Sequence, residues 1–494
     1  VILSNLPAFQ IIVPLLAAPL CVIIRRGALV YWLAVIVAWV TFAVAALLLQ
    51  EVNANGVIDY QLGGWAPPWG IEYRIDLVNA YVLLIVSAIG ALTISYAKPS
   101  IDQEIGEERG YLFYTAYLLC LAGLLGVTIT GDAFNIFVFL EISSLSSYTL
   151  ISLGRDRRAL TAAYRYLVFG TIGATFFLIG VGLLYQMTGT LNIADLGERV
   201  AAVGPNRTIT VAFGFMAVGL AVKAALFPVH AWLPNAYAYA PSVATIFLAA
   251  TATKVSIYIL IRTYFTIFKP DFSFFVMSLG EILMVLAVLA MLVGSAIAIF
   301  QTNIKRMLAY SSVAQIGYMV LGVSMASVLG VAGGTLHLFN HALMKGALFM
   351  VMGCVMYRIG SVKLDNMQGL ASRMPWTMAA FVAGGLSLIG VPLTVGFVSK
   401  WYLITAALEQ ELWWVVVLII ASSLMAIIYV WRVVETVYLS PLPAGAPSER
   451  HEAPLAMLAP MWVMILANFY FGVDTRLSVG VATDAAKFLL GGGS

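Results

Sequence analysis

The chain has 494 residues, 62% of them hydrophobic and only 10% charged, with a formal net charge of +3. A soluble domain carries about 25% charged residues, so most of this surface faces something other than water, and so small a net charge offers no electrostatic hold on nucleic acid. Cys21, Cys120 and Cys354 all lie inside apolar runs without paired ligand spacing, which leaves them as small packing residues rather than parts of a zinc site or a disulfide frame.

Apolar runs such as Val30–Leu49 and Met277–Phe300 reach the roughly 20 residues that a helix needs to cross a bilayer. Core helices of soluble proteins are seldom apolar on every side. The chain therefore reads as an all-α polytopic membrane protein with about fourteen crossings. They fall near 7–24, 28–50, 75–97, 111–129, 132–153, 162–187, 208–229, 241–262, 274–300, 306–325, 329–358, 376–408, 412–438 and 453–472. No cleavable leader is expected, because the first apolar run lacks a basic segment before it. The polar Gly/Pro-rich loop 51–74 contains Trp65 and Trp69, which suit interfacial anchors. The span from 208 runs on through Pro228 and Pro234, and the span 376–408 carries Gly390, Pro392 and Gly396 at its middle; both predict broken helices. Asn206-Arg207-Thr208 fits a glycosylation sequon, a triplet common by chance. The loop 440–453, with Pro441, Pro443 and Pro447, is a plain connector, and Gly491–Ser494 carries no functional weight.

Basic residues set the orientation. With Arg25 and Arg26 in the cytoplasm, the loops holding Lys98, Arg109, Arg155, Arg157, Arg158, Lys305, Arg306, Arg358, Lys363, Arg373, Arg432 and Arg450 share that side. The opposite loops and tail hold only Arg74, Arg199, Arg207, Lys269, Arg476 and Lys487. The bias predicts both termini outside. Two five-helix blocks, 111–262 and 274–438, can be laid over each other, each with a lysine near a proline in its fourth helix: Lys223 before Pro228, and Lys400 after Pro392. An odd number of crossings inverts one block relative to the next, and paired interrupted helices point to a transport site. The expected division is 1–110 for the N-terminal helices and outer loop, 111–262 and 274–438 for two inverted repeats, and 439–494 for the connector, last helix and tail.

Ionisable residues inside these spans are costly and mark function by default. Glu141, Lys223, Lys254, Lys345 and Lys400 are such residues, one per helix and at similar depth. A free lysine, with a pKa near 10.4, is too basic to pass protons at neutral pH, but burial disfavours its charged form and a nearby carboxylate can tune it. An arginine does not titrate and could not serve; the choice of lysine at all four basic sites favours proton transfer. Static ion pairs are the alternative, and one central carboxylate cannot pair four amines. His337, His341 and Lys345 recur every four residues and so form one stripe on a helix. They fit a proton relay or structural histidines; a shared metal has no third ligand and no intervening Glu to support it. His230, in the interrupted segment after Pro228, either works with freed carbonyls on water or a cation, or caps the break. No phosphate-binding loop, nucleophile elbow or dinucleotide fingerprint occurs, so no cofactor or metal is expected.

Several segments carry a resemblance: Gly131-Asp132 through Glu141, Lys223 through Pro241, Gln301 through Ser312, His337 through Lys345, and Gly390 through Lys400. Over about residues 60–440 the chain resembles the antiporter-like proton-translocating family. That family includes the membrane-arm subunits of respiratory complex I and the large subunits of Mrp-type multisubunit sodium/proton antiporters. Within it, Gly63-Gly64-Trp65-Ala66-Pro67-Pro68-Trp69-Gly70-Ile71 looks most like the D-type Mrp subunits. The resemblance implies fourteen helices with two inverted five-helix repeats, each with a broken helix. It implies Glu141 and Lys223 as the switching pair, Lys254 and Lys345 as relays, and Lys400 as the end of the path. After His230 the family often has an acidic residue and a histidine; Asn235 and Tyr237 stand there instead, with Tyr239 nearby, which argues against an inlet through that loop. The implied activity is that of a secondary transporter subunit rather than an enzyme, in a bacterial or archaeal inner membrane, with other membrane subunits as partners and protons and sodium as cargo. The second reading is an ion-pumping subunit of a redox-driven complex.

Overall fold

The computed structural model describes residues 3–443 and 449–491; Pro447 of the expected connector and Gly492–Ser494 of the terminal glycine run lie outside the described residues. Helices follow the apolar runs: α1 (Leu6–Ile24), α2 (Gly27–Asn55), α3 (Leu77–Glu104), α4 (Glu107–Ile129), α5 (Ala133–Ser152), α6 (Arg157–Thr188), α7 (Ile193–Val203), α8 (Arg207–Lys223), α9 (Leu233–Tyr239) and α10 (Ser242–Ala250). The order continues with α11 (Ala252–Arg262), α12 (Leu279–Ile299), α13 (Ile304–Ser324), α14 (Val328–Ile359), α15 (Leu370–Arg373), α16 (Pro375–Ile389), α17 (Val395–Glu409), α18 (Trp413–Val434), α19 (Leu455–Val473) and α20 (Arg476–Leu489). Among the described residues twelve crossings are long and apolar enough to span a membrane, with α10 and α11 acting as one, Ser242–Ile267. The interrupted pairs α8–α9 and α16–α17 supply two more, so the expected fourteen crossings are present.

The loops sort onto two faces. One carries the hairpin of β1 (Ile58–Gln61) and β2 (Glu72–Ile75), to which the loops after α4 and α6 are tied by the bridges Tyr73–Thr130 and Asp132–Asn192. The other is the basic face, where Asn303 pairs with Lys363. The hairpin lies where the sequence reads as an irregular loop, and Trp65 and Trp69 stand exposed beside it. Two amphipathic helices, α7 and α20, also went unread; both belong to the hairpin face. Five crossings run from α4 to α11 starting at the basic face, and five from α12 to α18 starting at the hairpin face, so the two sets are inverted, and the fourth crossing of each is broken.

Local chemistry accounts for the helix starts. Asp76, Asp132, Asp156, Asn192, Asn206, Asn303 and Ser327 each accept backbone N–H groups at the first turn that follows them, which satisfies donors that a helix leaves free. Asn206 of the sequon is thus the N-cap of α8. Helices meet closely at small residues, as membrane helices do. A Cβ on Gly219 would lie 2.5 Å from Gly173 O, and one on Gly322 would lie 2.6 Å from Gly334 N.

Candidate functional site

The breaks place the lysines. α8 stops at Lys223, and the chain turns through Pro228 and His230 before α9 begins. The Lys223 amine donates to Ser144 Oγ (2.5 Å) and lies 3.9 Å from Glu141 Oε1. That oxygen has no hydrogen-bond partner in the protein. Lys223 is buried, but the Glu141 side chain is 26% exposed. Lys223 is thus enclosed by the bundle, whereas the Glu141 carboxylate reaches its surface. The reason is position: α5 lies at the rim of the bundle, and Phe134, Val138 and Leu145, exposed at helical spacing, put Glu141 on the edge of its outward stripe.

A third break was not expected. The crossing 241–262 reads as continuous, but the helix is interrupted at Thr251 (φ −127°, ψ −56°) between α10 and α11. The interruption frees the Ala249 carbonyl, and the Lys254 amine rests against it, with Thr253 Oγ1 at 3.4 Å. The same device recurs in α16–α17. That helix stops at Ile389, Gly390 turns left-handed (φ 91°), and the Lys400 amine takes Ile389 O (2.7 Å), Leu388 O (3.3 Å) and Ser423 Oγ (2.9 Å). Lys345 donates to Leu308 O (2.8 Å) and to Ser311 Oγ.

The histidine stripe joins these amines. His337 and His341 stack with centroids 6.1 Å apart and 8° between planes. His341 lies within electrostatic reach of Lys254 and Lys345, and His337 within reach of Lys254 and Lys400. His337 uses Nδ1 on Ser399 Oγ (2.8 Å) and Nε2 on Gln315 Oε1 (2.9 Å). The Tyr318 ring sits between, 5.4 Å from the His337 ring and 5.1 Å below the Lys400 amine. His341 is fully buried with neither ring nitrogen partnered by protein. A buried polar group in that state calls for water. Beside Lys223, Trp232 Nε1 donates to Val222 O (2.9 Å) and stacks on Tyr166 at 3.9 Å, which meets Tyr148 edge to face at 4.7 Å, and the Tyr148 hydroxyl also lacks a partner. His230 is half-buried against Phe227, with Nδ1 unpartnered, and its ring lies 6.4 Å from that of Tyr310, the neighbour of Ser311.

Two basic residues need amendment. Lys305, placed by the sequence in a basic-face loop, is 1% exposed and donates to Ala240 O (3.1 Å) at the end of α9. Arg262 is also buried, paired with Asp76, so the buried cations of the spans are not all lysine. Neither was legible as a site residue, because each lies at the end of a predicted span, where a charge ordinarily meets water. Among the described residues no three potential metal ligands converge.

Interrupted crossings that carry buried ionisable side chains are the architecture of ion-translocating membrane proteins. Residues 130–426 match the family described as NADH:quinone oxidoreductase/Mrp antiporter, TM, and the chain belongs to that family. It is 41% identical to NADH-quinone oxidoreductase subunit N of Desulforudis audaxviator, over 95% of this chain and 96% of that one. It is 33% identical to the D-type Na(+)/H(+) antiporter subunit of Alkalihalophilus pseudofirmus over 79% of each. In shape it is similar to a chain of the Mrp complex from Dietzia, at a TM-score of 0.90 and 28% identity, covering 99% of this chain and 98% of that chain.

Proposed function

We propose that the chain is the proton-translocating subunit of a multisubunit monovalent cation/proton antiporter, in which Glu141, Lys223, Lys254, His341, Lys345, His337 and Lys400 form the path. The observation that carries this reading is the mismatch of charges. Four buried amines have one carboxylate within ion-pair range among the described residues, Glu141 beside Lys223; the others rest on carbonyls and hydroxyls. Static pairing cannot explain such a set, whereas amines that exchange protons through histidine and water can. His230, whose ring lies 6.4 Å from that of Tyr310, the neighbour of the Ser311 that holds Lys345, is proposed as a further relay on this path. The repeats 111–262 and 274–438 would each supply one broken helix, flanked by 1–110 and 439–494. With its basic face toward the cytoplasm of a bacterial or archaeal cell, the chain would have both termini outside. The outward stripe of α5 beside Glu141 suits a neighbouring membrane subunit, since a carboxylate facing lipid is costly. Sodium is the proposed counter-ion, following the name of the antiporter relative.

A second reading is favoured by the 41% identical relative, whose name is that of an oxidoreductase subunit: the same path, driven by electron transfer in partner subunits. Two measurements on the intact complex separate the readings. In everted membrane vesicles, sodium addition should release an imposed pH gradient, and Lys223→Ala should abolish that release; undiminished exchange in the variant would overturn the path. Flavin or iron–sulfur absorption in the purified complex would move the assignment to the second reading.

A further inference from the structure

Lys254, Tyr258 and Arg262 repeat every four residues along α11 and so share one helix face, which leads from the lysine row toward the hairpin face. At its far end is a closed cluster. Arg262 lies against the Asp76 carboxylate, with the two side chains only 7% and 6% exposed. Its Nε donates to Tyr258 Oη (3.1 Å), and Tyr258 Oη in turn donates to Thr128 O (3.0 Å). Asp76 Oδ1 accepts from Arg262 and also from the N–H groups of Val78 (2.9 Å) and Asn79 (3.2 Å), as the N-cap of α3. Just beyond, a cavity of about 100 Å³ opens at the hairpin face, lined by Arg74, Asp76, Asn79, Tyr258 and Arg262 among others.

We propose that the Asp76–Arg262 pair is a proton seal, which closes the short route from Lys254 to the hairpin-face cavity and keeps traffic in the lysine row. The inference rests on the reading of that row as a proton path. A proton moving along this face of α11 needs successive groups that can accept and release it. The guanidinium cannot, because it does not titrate. The one proton of Tyr258 is committed to Thr128, and the facing oxygen of Asp76 already holds three N–H donors. The route is therefore blocked by chemistry rather than by bulk, at residues that themselves line the cavity. Without the arginine, Asp76, which lines the cavity alongside Tyr258, would be a carboxylate free to take up protons there. Asp76 and Arg262 act here through what they deny to Lys254, as positioning residues. Arg74, at the cavity mouth and 3.5 Å from Asp59, is the other charge on the approach.

The test uses the intact complex in everted vesicles, with a pH step imposed in the absence of an exchangeable cation and its decay followed with a pH-sensitive dye. Arg262→Gln should speed the decay several-fold, and the double variant Asp76→Asn with Arg262→Gln should return it close to the parent rate, because the liberated carboxylate is gone. Assembly is checked by yield and thermal unfolding of each complex. Equal leak in the single and double variants would mean simple loosening of the bundle and would overturn the seal. So would an Asp76→Asn variant that loses sodium-driven exchange at unchanged leak, which would make the pair an outlet. Should Arg262→Gln fail to assemble, Arg262→Lys retains the ion pair but adds a group able to release a proton; a decay no faster than the parent's in that variant also overturns the proposal. The leak is read without exchange, so it stands or falls separately from the effect of Lys223→Ala.

Discussion

Lys345 shows what a single side chain contributes. It is buried with no carboxylate within ion-pair range among the described residues, held by one carbonyl and one hydroxyl. Arginine at this position would keep the positive charge and lose the ability to release a proton. Lys345→Arg should therefore lower the exchange rate by roughly 10²-fold or more, the usual worth of a positioned proton-transfer group, while the complex still assembles; near-normal exchange in everted vesicles would count against transfer at this residue. His341 makes a complementary case. With both ring nitrogens free of protein partners, it contributes little to packing that a phenyl ring would not. His341→Phe should leave the melting temperature of the complex within a few degrees and slow exchange. A large loss of stability with intact exchange would mark it as structural. The lysines and histidines of the row are legible in the sequence because a charge inside an apolar run has no bland explanation. Asp76 escaped notice because an aspartate before a helix reads as an ordinary N-cap, which it also is.

At the scale of elements, the breaks differ in how plainly they are written. Those after Lys223 and Ile389 are announced by Pro228 and by Gly390 with Pro392. The break at Thr251 sits in a run of alanine and threonine without Gly or Pro; what distinguishes it from continuous helix is a local contact, Lys254 drawn back to Ala249 O. The hairpin of β1 and β2 was hidden for a related reason, since its strands are four residues each and their connection is too long for a tight-turn signal. Helix contacts carry a prediction of their own. α6 and α8 approach through facing glycines, and a Cβ on Gly219 would meet Gly173 O at 2.5 Å and Phe177 N at 2.8 Å, both backbone atoms that cannot turn aside. Gly219→Ala should cost about 1–3 kcal/mol by overpacking, seen as a lower melting temperature of the purified complex. An unchanged melting curve would show that α8 can move away freely, contrary to its packing.

For the whole molecule, the rim position of α5 links the path to assembly. A chain that worked alone would leave Phe134, Val138 and Leu145 against lipid with the Glu141 carboxylate at their edge. Val138→Cys should react slowly with a membrane-diffusible maleimide in the intact complex and quickly once partner subunits are stripped away. The background is low, because Cys21, Cys120 and Cys354 are all buried. Equal reactivity in both states would place the neighbouring subunit elsewhere.

The broken helices have one more consequence. Lys254, Lys305 and Lys400 each lean on peptide oxygens near a helix terminus: those of Ala249, Ala240, and the pair Leu388 and Ile389. A peptide oxygen attracts an ammonium but never ionises, so the cradle offers the same pull at any acidity, and each hydrogen-ion step has one variable partner instead of two. Because the cradle is written in main chain, no side-chain replacement nearby erases it. Only a change that knits the severed turns back into unbroken helix would do so.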